Sequence, residues 1–223
     1  MKHWKLLLFS VLVVALSGWF LAIMRPPGAR STTPGLEMPW QISRSQDGMT
    51  ITVFGLTLGQ STVRDAVDKL GRRYELGLFE DQTGRLSLEA YFRDAVVSGL
   101  NARLVMMAHL PDESLIAIKT HAGNGKPVAD GGHRYPVAEA DQDLATSGVL
   151  TGITFIPIVK FDADLVQKRF GDPAERMTVS DGAHWFYPTK GLDLLLGANG
   201  EAVLQYVPPP EFESRLRAPL RKD

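Results

Sequence analysis

Phe161-Asp-Ala-Asp-Leu-Val-Gln-Lys-Arg-Phe-Gly-Asp-Pro173, followed by His184-Trp-Phe-Tyr187, Leu192-Asp-Leu-Leu-Leu196 and Ala202-Val-Leu-Gln-Tyr-Val207, is the stretch on which the fold reading turns. Asp162 is placed to cap a helix, and Ala163, Val166 and Phe170 then fall at i, i+3 and i+7 on one face. Gly171 stands where a left-handed C-terminal residue belongs, and Pro173 blocks continuation, so the spacing predicts a helix over 163–170. The three apolar runs that follow recur about every nine residues. They are parted by Pro188-Thr-Lys-Gly191 and Gly197-Ala-Asn-Gly200, both turn chemistry. That predicts an antiparallel three-stranded meander with Leu192, Leu194 and Leu196 facing the helix. Upstream, the β-branched and aromatic run Thr151–Ile156 predicts a strand closed by Pro157.

The same order recurs, more faintly, one hundred positions earlier. A strand is expected near Thr50–Leu58. Thr62 and Asp65 form a capping-box-like start, Val63, Ala66, Val67 and Leu70 supply a helical stripe, and Gly71 aligns with Gly171. Strands are expected at 74–80, 85–92 and 101–108, a helix at 111–121, and a short helix at 138–145 after the glycine-rich loop 121–133. The expected fold class is therefore α+β: an N-terminal transmembrane helix, then two related units, each a helix packed on an antiparallel three-stranded meander. The expected organisation is an anchor or signal over 1–24, a Pro/Gly-rich linker over 25–39, a first unit over 40–122, a connecting segment over 123–149, a second unit over 150–210 and a charged tail over 211–223.

The run Phe161–Pro173 with His184–Pro188, Gly191–Leu196 and Gly200–Tyr206 resembles the small envelope modules of the BamE/SmpA type, whose tandem pairs resemble the β-lactamase inhibitory protein. The resemblance covers about fifty residues, with a fainter copy in the first half. It implies helices on a three-stranded sheet and protein–protein contact in the cell envelope. BamE-type proteins are lipoproteins, whereas Trp19 stands here where the lipid-bearing Cys is needed.

Leu6 to Met24 is a run of 19 residues without a charge, between Lys5 and Arg25. As a helix it is about 28 Å long, close to the ~30 Å hydrocarbon thickness of a bilayer. A retained anchor is the reading this length favours; a leader cleaved after Ala15-Leu16-Ser17 is the alternative. Lys2 and Lys5 are nearly balanced by Arg25 and Arg30, and the five-residue N-tail then favours a single-pass inner-membrane protein with its bulk in the periplasm. Zero cysteines leaves the domain to hold itself together by packing. Four prolines and two glycines between Arg25 and Pro39 read as a stalk.

With 24 basic residues against 25 acidic, no nucleic-acid partner is expected. Cysteine catalysis is impossible, and no Gly-x-Ser-x-Gly elbow presents a serine. Gly123-Asn-Gly-Lys126 fails as a phosphate loop because Thr120 replaces the leading Gly and Pro127 the Ser/Thr. No cofactor or metal is expected. His121, Asp130 and His133 are the best acid–base constellation, set against a glycine-rich surface loop with solvated histidines. His184, Trp185, Tyr187 and Tyr206, leading into Pro208-Pro209-Pro210, are the candidate binding residues. The alternative is that alternation buries about half of them and Trp185 anchors helix to sheet. Arg215, Arg217, Arg221 and Lys222 read as a solvated tail, or as a contact to acidic lipid or a partner. The function this supports is a membrane-anchored, exported, non-catalytic binding or scaffolding protein whose partner is an envelope protein. An envelope hydrolase built on the 121–133 loop and a secreted inhibitor of an envelope enzyme are the alternatives.

Overall fold

The computed structural model describes residues 36–129 and 131–221. Their strands are β1 Ser43–Arg44, β2 Ile51–Val53, β3 Leu56–Thr57, β4 Glu75–Glu80, β5 Leu86–Val97, β6 Leu100–His109, β7 Lys126–Pro127, β8 His133–Pro136, β9 Val149–Pro157, β10 Glu175–Val179, β11 Gly182–Tyr187, β12 Leu192–Gly197 and β13 Ala202–Tyr206. The α-helices are α1 Val63–Leu70, α2 Asp112–His121, α3 Gln142–Thr146 and α4 Ala163–Phe170.

Local chemistry sets the two helices that the sequence marks most clearly. At α1 the Thr62 side chain accepts from the Asp65 backbone while the Asp65 carboxylate accepts from the Thr62 backbone, a reciprocal capping box. At α4 the Asp162 carboxylate accepts from the Leu165 N–H at 2.7 Å, and Gly171 closes the helix at φ 79°. Gly191, which ends the turn between β11 and β12, is required twice over. Its φ is 58°, and a Cβ there would stand 2.0 Å from the Val207 carbonyl oxygen.

The strands do not form two separate meanders. β1, β2 and β3 make a small sheet, and the other ten form one antiparallel sheet in the order β10-β11-β12-β13-β9-β6-β5-β4-β8-β7. This corrects the expectation of two helix-on-three-strand units. The reason lies in β9: one edge pairs with β6 from Ala102↔Pro157 to His109↔Val149, and the other pairs with β13 from Leu204↔Phe155 to Tyr206↔Ile153. A strand shared in this way uses its backbone donors and acceptors on both edges and removes the open edges that two isolated meanders would carry. β10, β8 and β7 were not expected from the sequence and widen the sheet further.

One face of the large sheet forms the main core. Leu78, Leu88, Phe92, Leu104, Met106, Phe155, Leu194, Leu204 and Tyr206 are buried there against α1 (Val63, Ala66), α2 (Leu115, Ile118) and α4 (Val166, Phe170). The β2–β3 turn drives Phe54 into the same core, 5.2 Å from the Phe155 ring and 5.8 Å from that of Tyr206.

The opposite side, the second face, is covered over β11 and its neighbours by the helical turns Pro209–Glu211, Glu213–Arg217 and Ala218–Arg221. Phe212 and Leu216 pack with Phe186 and Val207 in a cluster separate from the main core. The tail is thus an ordered segment as far as Arg221. Arg217 and Arg221 pair with Glu175 on β10 at 3.1 and 2.8 Å, and Arg215 bonds the Thr151 carbonyl at 2.7 Å. Lys222 and Asp223 lie outside the described residues.

The end of the expected stalk also differs. Leu36 is buried, and the Pro39 carbonyl accepts from the Tyr206 hydroxyl at 2.7 Å, so residues 36–39 belong to the folded domain. The single-pass inner-membrane expectation is corrected as well, because no helix among the described residues is long and apolar enough to cross a membrane. Leu6–Met24, on which that expectation rested, lie outside the described residues, as does the rest of the linker up to residue 35.

Candidate functional site

The residues proposed for binding from the sequence are all inside the protein. Trp185 is 5 %, Tyr187 3 %, Tyr206 0 % and His184 7 % exposed. Alternation along β11 sends Trp185 and Tyr187 to the main core and His184 and Phe186 to the second face. Trp185 is capped by the Arg176 guanidinium, 3.7 Å from its ring centroid, and the Tyr187 hydroxyl donates to the Gly171 carbonyl at 3.0 Å. Burial pushes the Tyr187 phenol up to about 12 and that of Tyr206 well above its ordinary range. These are packing residues, with polar partners for His184, Tyr187 and Tyr206, and the structure brings no two of the four together on an accessible surface.

His184 has a partner the sequence reading missed. Its Nδ1 lies 3.0 and 2.9 Å from the two Asp193 carboxylate oxygens, and Asp193 is 1 % exposed. Burial drives the Asp193 carboxyl up, and the bond to His184 opposes this. His121, at the end of α2, similarly meets both oxygens of Asp141 at 3.0 Å. His133 lies on β8, its ring 6.3 Å from Tyr135. Asp130, the third member of the proposed acid–base constellation, lies outside the described residues. The two histidines therefore take separate surroundings. Beside His133, Glu80 accepts from Lys119 and, at 2.7 Å, from the Tyr135 hydroxyl. The Lys119 bond holds the Glu80 carboxyl below its ordinary range and the lysine above its own. A pair locked in its charged forms is poised for structure rather than for proton transfer near neutrality.

The second face over β4, β5, β6 and β9 is of a different kind. Register defines it: one row of cross-strand neighbours runs Glu175, Phe186, Asp193, Gln205, Thr154, Val105, Tyr91, Glu75 across eight strands. The next row, on the same face, is Gly152, Met107, Glu89, Gly77. The helices α1 and α2 that touch β4 and β5 do so through core residues, from the opposite side. Phe79, Tyr91, Met107, Ile156, Arg103 and Glu89 are half-buried on this face.

Its charged groups are tied to one another. Glu75 pairs with Arg93 at 3.1 Å and with Arg134 at 3.5 Å. Arg134 leans over Gly77, where an added Cβ would meet its Nε at 3.0 Å, and Arg215 leans over Gly152 in the same way. Arg215 also reaches the Met107 sulfur at 3.4 Å, so the C-terminal segment and this half of the face share a border. A cleft of about 210 Å³ lined by Arg73, Tyr74, Glu75, Tyr91, Arg93 and Asp94 adjoins it. Within the row, burial pushes the Glu89 carboxyl up to about 7, against the opposing charge of Arg134.

Sequence reasoning did not find this face, although a signal was present. Leu88, Ala90 and Phe92 alternate as core residues, which points Glu89 and Tyr91 to the opposite side. Asp193 and Asp141 left no such signal, since nothing local shows which histidine each will meet. Among the described residues no cluster of three or more His, Cys, Asp or Glu side chains is arranged to hold a metal ion. No family model matches the chain, and neither a curated protein nor a solved structure matches it.

Proposed function

We propose that the chain is a non-catalytic protein-binding module that engages a partner protein through the β4–β5–β6–β9 part of the second face. The observation that carries this is the division of one continuous sheet face. Its β10–β13 half carries the chain's own C-terminal segment, and along its other half the half-buried Phe79, Met107 and Ile156 are set beside the ion-paired Arg93 and Arg134. Aromatic, methionine and arginine side chains are the kinds that concentrate in protein interfaces. Arg93 and Arg134 are held by ion pairs within the face, which lowers the ordering cost on association.

The intramolecular contact indicates the kind of occupant. The C-terminal segment lies on the sheet as helical turns that insert Phe212 and Leu216 and donate from Arg215 to the Thr151 carbonyl. A helical segment of a partner, laid alongside it, would continue the same interface across Met107 and Tyr91.

The test uses the full chain, as wild type and as a Tyr91→Ala/Met107→Glu double variant, to retain proteins from a lysate, followed by binding measurements with the purified candidate. The expected result is a partner whose affinity for the double variant is at least about tenfold weaker, as for loss of central anchors. A purified candidate that binds both proteins equally overturns the reading. So does a wild type that captures the same set of proteins as the double variant.

A further inference from the structure

We infer that the outer edge of β10 is a self-association site, at which a second copy of this chain lays its own β10 antiparallel and joins the two large sheets edge to edge. This goes beyond the binding-module reading and does not rest on it, because β10 is an end strand outside the β4–β5–β6–β9 half. β10 pairs only with β11. The Asp181 carbonyl accepts from Ala198, just past β12, at 3.0 Å, and the Phe186 carbonyl accepts from Ala174, just before β10, at 2.8 Å. Alternation between these points turns the backbone of Gly182, His184 and Phe186 toward β10, so their register partners Val179, Met177 and Glu175 are bonded to β11. The N–H and C=O of Arg176 and Thr178 are left on the outer edge. Both residues are exposed, and no described residue bonds these groups.

Sheet edges are ordinarily guarded by shortness, by proline or by projecting charge. The far edge of this sheet is guarded in that way, since β7 is only Lys126–Pro127. β10 is not. It has five residues and no proline, and both of its charged side chains are engaged within the chain: Glu175 by Arg217 and Arg221, and Arg176 over the Trp185 ring. An edge with free donors and acceptors and no unpaired charge is a template for another strand.

Charge selects the register, and the register selects the occupant. Two antiparallel copies are related by a two-fold axis perpendicular to the sheet, which keeps every side chain on its own face and passes through one residue of β10. An axis at Glu175 sets that carboxylate against its own copy, and one at Arg176 does the same with two guanidinium groups. An axis at Thr178 sets Glu175 against Asp181. Like charges directly opposite are destabilising in each case. An axis at Met177 brings no like charges together. It sets Arg176 against Thr178 and Glu175 against Val179, and Met177 meets its own copy beside the Phe186–Phe212 cluster on which it packs. In that register Arg176 and Thr178 face each other with their outward backbone groups, so every free N–H and C=O of both copies is bonded. β10 is thus self-complementary in charge and in hydrogen bonding about a single residue.

The experiment measures sedimentation equilibrium of the full chain over a concentration series, as wild type, Thr178→Arg and Thr178→Glu, with urea unfolding of each as the check on folding. The expected result is a monomer–dimer equilibrium in the micromolar range, as suits an interface of one strand edge. Thr178→Arg, which sets arginines opposite one another twice across the axis, should weaken it about tenfold, and Thr178→Glu, which sets a carboxylate opposite each Arg176, should strengthen it by several-fold. The chain has no cysteine, so single-cysteine variants locate the axis. Oxidation with copper phenanthroline should link Met177→Cys into a dimer, because residues opposite each other at a non-hydrogen-bonded position lie within disulfide reach. Val179→Cys should stay unlinked, its copy standing about 13 Å away along the strands. A chain that remains monomeric at about 300 µM overturns the inference. So does a dimer on which the two Thr178 variants act alike, or one in which Val179→Cys links as readily as Met177→Cys.

Discussion

His184 and Asp193 form a buried pair on the second face, with the imidazole Nδ1 within 3.0 Å of both carboxylate oxygens. They sit diagonally on neighbouring strands, since His184 is opposite Leu195 and Asp193 is opposite Phe186. The pair is therefore a tie between β11 and β12 in addition to their ladder hydrogen bonds. His184 also stacks on Phe186, whose ring carries Phe212 of the C-terminal segment.

Removing one partner leaves the other buried and unpaired, so Asp193→Ala should lower unfolding free energy by about 3 kcal/mol, and His184→Ala by a similar amount. The double variant should lose much less than the sum. Urea unfolding of the four proteins gives the coupling, and strict additivity would show that the pair contributes nothing.

Tyr187 governs an alkaline limb. Its phenol titrates at about 12 in the folded protein against about 10 in an unfolded chain. Between those values the folded state keeps a proton that the unfolded state has released, so stability present below pH 10 falls as pH rises towards 12. The loss is about 2–3 kcal/mol by linkage. Tyr187→Phe should give up about 1 kcal/mol at pH 8, from the bond to Gly171, and show a flatter decline above pH 10. Thermal unfolding at half-unit intervals of pH distinguishes the two slopes.

The C-terminal segment should release without unfolding the domain. Phe212 and Leu216 belong to a cluster of four buried residues apart from the main core, so Phe212→Ala removes the centre of a small unit. Hydrogen exchange should quicken in residues 209–221, β10 and β11 while β5, β6 and β9 stay protected. Trypsin should then cut after Arg215 or Arg217. Acid should act in the same direction: the bond from Arg221 holds the Glu175 carboxyl below its ordinary range, so the clamp is in place above that range and weakens as pH falls through it. One cooperative loss of protection everywhere would show instead that the segment is part of the global folding unit.

What could be read from the sequence divides along the range of the interactions. α4 lies at Ala163–Phe170, the residues its cap and glycine mark, because Asp162 and Gly171 act within one turn. α1 was equally visible in Thr62, Asp65 and Gly71. The single ten-stranded sheet was not visible, since it depends on β9 meeting β6 and β13, pairings about fifty residues apart in the chain. β10 was missed because Glu175-Arg-Met-Thr-Val179 is only five residues long and opens with two adjacent charged residues, so it carries no clear apolar alternation, and charged side chains are common on an edge strand. His184–Tyr187 misled for a related reason. Alternation assigns one face of a strand to water, but Phe212 and Leu216, in a segment that reads as a charged tail, cover that face of β11.

Glu89 supplies the sharpest pH signature. Its carboxyl titrates at about 7 when folded and near 4.5 in the unfolded chain, so between these values the folded state binds the extra proton. Stability should therefore be greatest on the acid side of that interval and decline as pH rises from 4.5 to 7, by up to about 3 kcal/mol, with no further change from this group at higher pH. Glu89→Gln keeps the shape and removes the charge. It should match wild type at pH 4.5 and exceed it at pH 8, and the difference between the two should open within that interval alone. Unfolding midpoints of both proteins from pH 4 to 9 check this. A Glu89→Gln protein less stable than wild type at pH 8 would mean that the Glu89 carboxylate is already compensated within the chain.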